Sequence, residues 1–495
     1  MFNFSEKYKK IPAPVKAGLW FFICTVLQKG IVFLTVPIFT RLLTTEQYGL
    51  LTVYQSWMAI ISVFTTLNLS AGVFNNGMIK YPGQKNQFLS SLLGLSTTVT
   101  AVFFIVYLMF RQPINTLIEL PTVLVLAMFL ELFMSPALAL WSAKQRFSYK
   151  YRAMTAITVT ISLANVGVGL LAVSLAEEKG VARVLSAAIV NICAGLVLYV
   201  FNMIKGKTFF HKKYWKFALA FNLPLIPHYL SVTILNNSDR VMINKFCGTG
   251  SAAIYGVAYS IGLMLNIVMT AINSSYTPWF YQSMAKKEYQ KISKLVTALV
   301  ALLGGVSLLL VTFAPEIIRI MAPASYYEAV WLVPPITLSM FICLLYNVFA
   351  GLEFYFEKNI FIMIASCMGA LLNIALNSFV IPLWGYIATG YTTLLCFIVW
   401  AFAHYIFSTS ICKKELGLKK SIFNIKVICF IVLGVFTATA FIMLFYNLAI
   451  VRYLIVAVLC FVFIIKRKAL IHLIKQMKNV QNKGKGGDKN IWKHY

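Results

Sequence analysis

The chain has 495 residues, 60% of them AVILMFWYC and only 12% charged, with a mean hydropathy of +0.81. Soluble domains carry about 25% charged residues, so soluble multidomain, disordered, coiled-coil and disulfide-stapled classes are excluded and an all-α polytopic membrane protein is left. The net charge of +29, from 43 Lys+Arg against 14 Asp+Glu, would suit nucleic acid, but the placement of those charges speaks against it.

A helix needs about 20 apolar residues to cross a bilayer. In chain order, apolar runs between charged or Gly/Pro-rich breaks predict spans near 17–40, 50–74, 88–110, 118–141, 153–175, 181–204 and 217–246. Seven more are predicted near 254–280, 295–313, 330–350, 359–382, 386–409, 427–447 and 449–465. Residues 1–16 are polar and basic and read as a cytoplasmic segment, not as a cleaved signal. Assigning Lys and Arg to alternate sides of these spans puts 34 with the two termini and seven on the other side. Positive loops stay cytoplasmic, which predicts both termini inside and about fourteen helices. The positive charge is a topology signal with attraction to anionic lipid, and no nucleic acid partner is expected.

Charge inside a span is costly and points to function. Lys29 lies mid-span beside Gln28 and one turn after Thr25, a polar stripe on an apolar helix; it faces an anion or water, or it pairs with Glu131 of the fourth span. Glu131 in turn either pairs with Lys29 or takes up protons. The seventh span carries Pro224, Pro227 and His228, then Asn236, Asp239 and Arg240. The two prolines predict a kink of the kind tolerated where a helix lines a cavity. Asn236 and Arg240 share a helix face, whereas the neighbours Asp239 and Arg240 point apart, so Arg240 is expected toward a cavity and Asp239 toward a partner helix. His228 is a candidate anion ligand or proton carrier. Glu353 and Glu357 read as interfacial, at a span's cytoplasmic end.

No His-Glu-x-x-His, Gly-x-Ser-x-Gly or Walker loop is present, and none of the nine cysteines has metal-ligand spacing. No catalytic residues, metal or cofactor are expected. The Gly-rich stretch of the basic tail, 466–495, opens no helix and is not a phosphate loop.

A weak internal repeat accompanies the hydropathy pattern. Arg41 ends the first span and Tyr48-Gly49 opens the second; Lys245 ends the seventh and Tyr255-Gly256 opens the eighth. Transporters often duplicate a helical bundle. The chain accordingly divides into an N-lobe at 17–204, a cytoplasmic linker at 205–216, a C-lobe at 217–409, two further helices within 410–465 and the tail. These are two pseudo-symmetric six-helix lobes plus two C-terminal helices.

Several motifs then resemble a known family. They are Pro37-Ile38-Phe39-Thr40-Arg41-Leu42-Leu43 with Tyr48-Gly49, and Ser238-Asp239-Arg240-Val241-Met242-Ile243 with Tyr255-Gly256-Val257-Ala258-Tyr259. Further on come Pro278-Trp279-Phe280-Tyr281, Tyr326-Tyr327-Glu328-Ala329, and Leu372-Asn373-Ile374-Ala375-Leu376-Asn377 before Ile381-Pro382. In this order, across most of residues 15–410, they resemble the polysaccharide exporters, or Wzx-type oligosaccharide flippases, of the multidrug/oligosaccharidyl-lipid/polysaccharide (MOP) superfamily. The resemblance implies a multi-pass protein of the bacterial cytoplasmic membrane. It would flip undecaprenyl-pyrophosphate-linked oligosaccharide repeat units by alternating access, for O-antigen, capsule or exopolysaccharide, alongside a polysaccharide polymerase and a chain-length regulator. Lys29, Arg240, His228, Asn236, Thr25 and Gln28 would serve the substrate, while Glu131 and Asp239 would carry a coupling H⁺ or Na⁺ or form charge pairs. The alternatives are a cation-coupled multidrug antiporter of the same superfamily and a membrane-embedded glycan polymerase or acyltransferase.

Overall fold

A computed structural model describes residues 13–458, the side chains of 13–19, 274, 275 and 359 excepted. The described chain is helical. In order it forms α1 (Ala13–Leu42), α2 (Thr45–Thr66), α3 (Val73–Lys80), α4 (Lys85–Met109), α5 (Arg111–Ile118), α6 (Thr122–Phe147), α7 (Tyr151–Leu175), α8 (Lys179–Gly206) and α9 (Lys212–Asn222). There follow α10 (Ile226–Cys247), α11 (Thr249–Ala285), α12 (Tyr289–Thr312), α13 (Ala314–Met321), α14 (Ala329–Tyr355), α15 (Asn359–Trp384), α16 (Ala388–Glu415) and α17 (Ile425–Leu444), then a shorter apolar helix, α18 (Ala449–Val458).

Among the described residues thirteen segments are long and apolar enough to cross a membrane, and they fall on the first thirteen predicted spans. The predicted fourteenth, 449–465, begins as α18 and passes outside the described residues after Val458. The tail 466–495 lies outside them as well.

Three local breaks explain where the predicted bounds were too long. The second span stops at Thr66 because Leu67 and Asn68 both take left-handed backbone, and a short helix, α3, follows. The predicted fourth span begins late, at Thr122, because Arg111–Ile118 forms its own short helix, α5. The seventh span is not one kinked helix. It is α9, a 3₁₀ turn at Leu223–Leu225, and α10, with Pro224 and Pro227 in the first positions of the turn and of α10, where a missing N–H costs little. Gly248, at φ +85, then ends α10 in a conformation that a side chain would strain.

The chain divides into two compact units. One runs to Val257 and takes in Met321–Tyr326 and Ala370–Thr389; the other takes Ala258–Ile320, Tyr327–Gly369 and the chain from Gly390 onward. In the first unit α6 and α7 pack on α8, α1 on α7, and α10 on α2. Its entry is locally encoded: Thr44 caps α2 through the Gln47 amide while the Gln47 side chain returns a bond to Thr44, a capping box. The segment preceding α10 is anchored rather than loose. Tyr214 of α9 is buried against Tyr81 and Phe88, and the Trp215 indole donates to the Ser91 carbonyl at 2.9 Å. In the second unit α12 packs on α14 and α17.

Candidate functional site

The polar residues of the first unit gather into two buried nodes and two cavities. The first node centres on Asp239 of α10, 1% exposed. Its carboxylate accepts from the Tyr255 hydroxyl at 2.6 Å and from the side-chain amides of Asn377 at 2.7 Å and Asn373 at 3.2 Å; Ser238 donates to the Asn373 oxygen at 2.8 Å. Asn373 and Asn377 reach Asp239 together because they stand one turn apart on α15. The predicted divergence is what the backbone imposes: Asp239 turns to α15 and α11, while Arg240 folds back along α10. The Arg240 guanidinium donates from Nη1 to the Asn236 carbonyl at 2.9 Å and to Asn237 Oδ1 at 3.3 Å.

The second node centres on Glu131 of α6. It accepts from Asn191 of α8 at 2.7 Å and from Tyr54 of α2 at 3.2 Å, and Asn165 of α7 donates to Asn191 at 3.3 Å. Glu131 is thus held by neutral donors, and the pairing with Lys29 that the sequence left open is not what binds it.

Thr25 and Gln28 line a cavity of about 300 Å³ with Cys24, Ser135, Ser142 and Thr158; Lys29 follows them on α1 and is half-buried. His228 and Asn236 line another, of about 380 Å³, with Ser62, Thr66, Asn68 and Thr233. The structure therefore brings Thr25 with Gln28 at one cavity and His228 with Asn236 at another, while Lys29 and Arg240 line neither of these two cavities and Arg240 reaches the second through Asn236 and Asn237. A cavity lined by hydroxyls and amides offers directional hydrogen bonds of the kind that fix polar ligands. No cluster of three metal-ligating His, Cys, Asp or Glu occurs among the described residues.

Sequence reasoning missed two groups. Arg183 of α8, one of the seven cations that charge alternation assigns to the outer side, is 8% exposed, its guanidinium lies 4.1 Å from the Phe39 ring centre, and its Nε and Nη1 have no hydrogen-bond partner among the described residues. Glu353 is not interfacial: it is fully buried against His404, which no sequence signal had singled out.

A family model for polysaccharide biosynthesis proteins matches residues 15–284. The chain belongs to that family. It is 24% identical over 376 residues to Lsg locus protein 1 of Haemophilus influenzae, covering 73% of this chain and 89% of that one. A membrane protein of the same organism, itself uncharacterized, is 21% identical over 277 residues, 54% of this chain and 66% of that one. Among solved structures the lipid II flippase MurJ, in an inward closed conformation, matches with a TM-score of 0.67 at 16% identity, over 92% of this chain and 100% of that one. A multidrug resistance MATE family transporter of the MOP superfamily matches at 0.55 in both its inward-facing form (11% identity, 81% and 99% covered) and its outward-facing form (13%, 82% and 97%). This polysaccharide biosynthesis family member shares the fold of these flippase and transporter structures and is a multi-pass membrane protein.

Proposed function

We propose that the protein flips undecaprenyl-pyrophosphate-linked oligosaccharide repeat units across the bacterial cytoplasmic membrane, for surface polysaccharide assembly. Arg240 is the observation that carries this reading. A buried guanidinium is fixed on Asn236 and Asn237, two residues that themselves line a cavity of hydroxyls and amides, in a chain of the polysaccharide biosynthesis family. Arg offers a pyrophosphate a two-pronged fork where Lys29 offers a point charge, and the apolar helix faces leave the lipid tail in the bilayer. The substrate site opens alternately to the two sides, and the repeat organisation is two six-helix lobes, 17–204 and 217–409. Both termini are cytoplasmic. Asp239 and Glu131 are the carboxylates placed to exchange a coupling H⁺ or Na⁺, and a polymerase with its chain-length regulator consumes the exported unit.

The likeness to the MATE fold supports a second reading, cation-coupled drug antiport. Purified protein in liposomes separates the two. A fluorescent polyprenyl-pyrophosphate oligosaccharide should become accessible to a membrane-impermeant quencher, and a cationic dye should not move. Loss of a charged hydrogen bond costs about 1.5–3 kcal/mol, so Arg240→Ala is expected to weaken the lipid's apparent affinity roughly ten- to hundredfold. Full flipping by abundant Arg240→Ala removes that residue from the site; dye transport without lipid flipping makes the protein an antiporter.

A further inference from the structure

The second unit holds a buried acid–base pair that the proposed transport site does not use. Glu353 lies near the end of α14 and His404 in the middle of α16, with Oε1 and Nδ1 2.8 Å apart and both side chains 0% exposed. Glu353 Oε2 and His404 Nε2 have no hydrogen-bond partner among the described residues, nor does the Trp400 indole nitrogen one turn before His404. Tyr346 closes the pair off on one side: its ring stacks on Trp400 at 3.9 Å and meets His404 edge-on at 4.7 Å.

The other side leads to the surface. On α16 His404, Ser408 and Cys412 recur every four residues, so they share a face, and all three are fully buried. The helix then ends at Glu415, which forms a surface ion pair with Lys358 at 2.9 Å. α14 ends at Tyr355, two residues after Glu353, and the exposed Glu357 follows in the turn beyond it. The pair thus lies toward the Tyr355 end of α14, with Ser408 and Cys412 on the His404 face of α16, while aromatic rings cover it on the other side.

A sealed, low-dielectric site disfavours net charge. With one proton shared between Nδ1 and Oε1 the pair is neutral overall; with none it carries −1, and with two, +1. We propose that Glu353 and His404 together form a proton-binding site that takes one proton from water at the α14–α16 end and returns it to water when that end opens. Uptake converts carboxylate plus neutral imidazole into the neutral pair, and release reverses it, with the proton leaving as hydronium. A static brace would give Oε2 and Nε2 partners, whereas a site that changes protonation leaves one acceptor and one donor position uncommitted. Of the titratable groups around the pair, Tyr346 of α14 lies within electrostatic reach of Glu353, and Cys343 within reach of Tyr346. Tyr405 of α16 contacts Phe349 at 5.4 Å, Tyr281 of α11 contacts Tyr355 at 5.3 Å, and Lys358, just past α14, pairs with Glu415 at the end of α16.

The proton's use in driving transport rests on the function proposed above; its binding does not, and it is tested without cargo. Interacting groups of this kind titrate as a pair. Full-length protein in lipid nanodiscs, titrated by infrared difference spectroscopy through the range where histidines ionise, should show one step in which a carboxyl band and an imidazole band change together. Glu353→Gln and His404→Gln should each lose that step, and Asp239→Asn and Glu131→Gln should keep it. No step in the unaltered protein, or a step that survives Glu353→Gln, overturns the proposal. If Glu353→Gln does not accumulate, Glu353→Asp decides instead: it withdraws the carboxyl from His404, so a displaced midpoint supports the pair and an unmoved midpoint refutes it.

Discussion

Arg183 is where side-chain chemistry and position along the chain disagree most. It stands five residues into α8, where a reading by loop charge places it in water. Folding instead stacks it on Phe39 and fits it against Gly169, whose missing side chain leaves the guanidinium its room. Burying a cation whose donors are not all paired is expensive, and apolar replacements of similar volume are often neutral or stabilising. Arg183→Met is therefore expected to unfold at a temperature no lower than the unaltered protein, while Arg183→Ala, which opens a cavity against Phe39, should unfold earlier. Thermal unfolding in detergent measures both; a Met variant as unstable as the Ala variant would show that the charge itself holds the helices. Residue type and spacing made Asp239, Arg240 and Glu131 visible in the sequence. The long-range partners of Asp239 and Glu131, and His404, were not, because Asn377 lies 138 residues from Asp239 and His404 lies 51 from Glu353.

At the scale of helices, the Tyr-Gly repeat acquires a physical meaning. A Cβ at Gly49 would run into the backbone carbonyl of Thr249, and one at Gly256 would lie 2.9 Å from the Thr52 methyl. Each glycine lets α2 and the start of α11 approach through the other's first turns, the small-residue packing that membrane helices use in place of a hydrophobic drive. Gly49→Ala must separate two backbones, whereas Gly256→Ala has only a side chain to displace. Overpacking costs about 1–3 kcal/mol, so Gly49→Ala should be markedly less abundant in the membrane than Gly256→Ala. Equal abundance would deny that the backbones touch. In the second unit α13 is tied to α18 by a two-pronged pair, Glu316 to Arg452 at 2.6 and 2.7 Å. Burial pushes the Glu316 carboxyl up, but the bonds from Arg452 outweigh it and hold the carboxyl below its ordinary value. A depressed carboxyl stabilises the fold above the unfolded value of about 4.3, and that contribution is lost as pH falls through the folded value. Hydrogen exchange at α18 should quicken on acidification, and Glu316→Gln should exchange faster at neutral pH with a flatter acid response.

For the whole molecule the testable quantity is orientation. The 34-to-seven division of Lys and Arg puts the α7–α8 turn outside and the α9 region inside. In a cysteine-free background, an impermeant thiol reagent added from outside should label Glu177→Cys and spare Lys213→Cys, both exposed positions. The opposite pattern would reverse the proposed topology.

Hydropathy and charge are sums over neighbouring residues. For that reason the sequence by itself determined the helical class and the series of spans, thirteen of the fourteen falling on long apolar helices among the described residues, and its ordered motifs pointed to the family that the match over 15–284 bears out. Errors came where single backbone angles or prolines end a helix, at Leu67, Asn68 and Leu223–Leu225, because a break of one turn barely alters a hydropathy window. Burial and pairing are properties of surfaces brought together from distant parts of the chain. Only the tertiary structure could decide that Glu131 rests on Tyr54 and Asn191, that Thr25 and His228 face different cavities, and that Glu353 is sealed against His404 rather than lying at the interface.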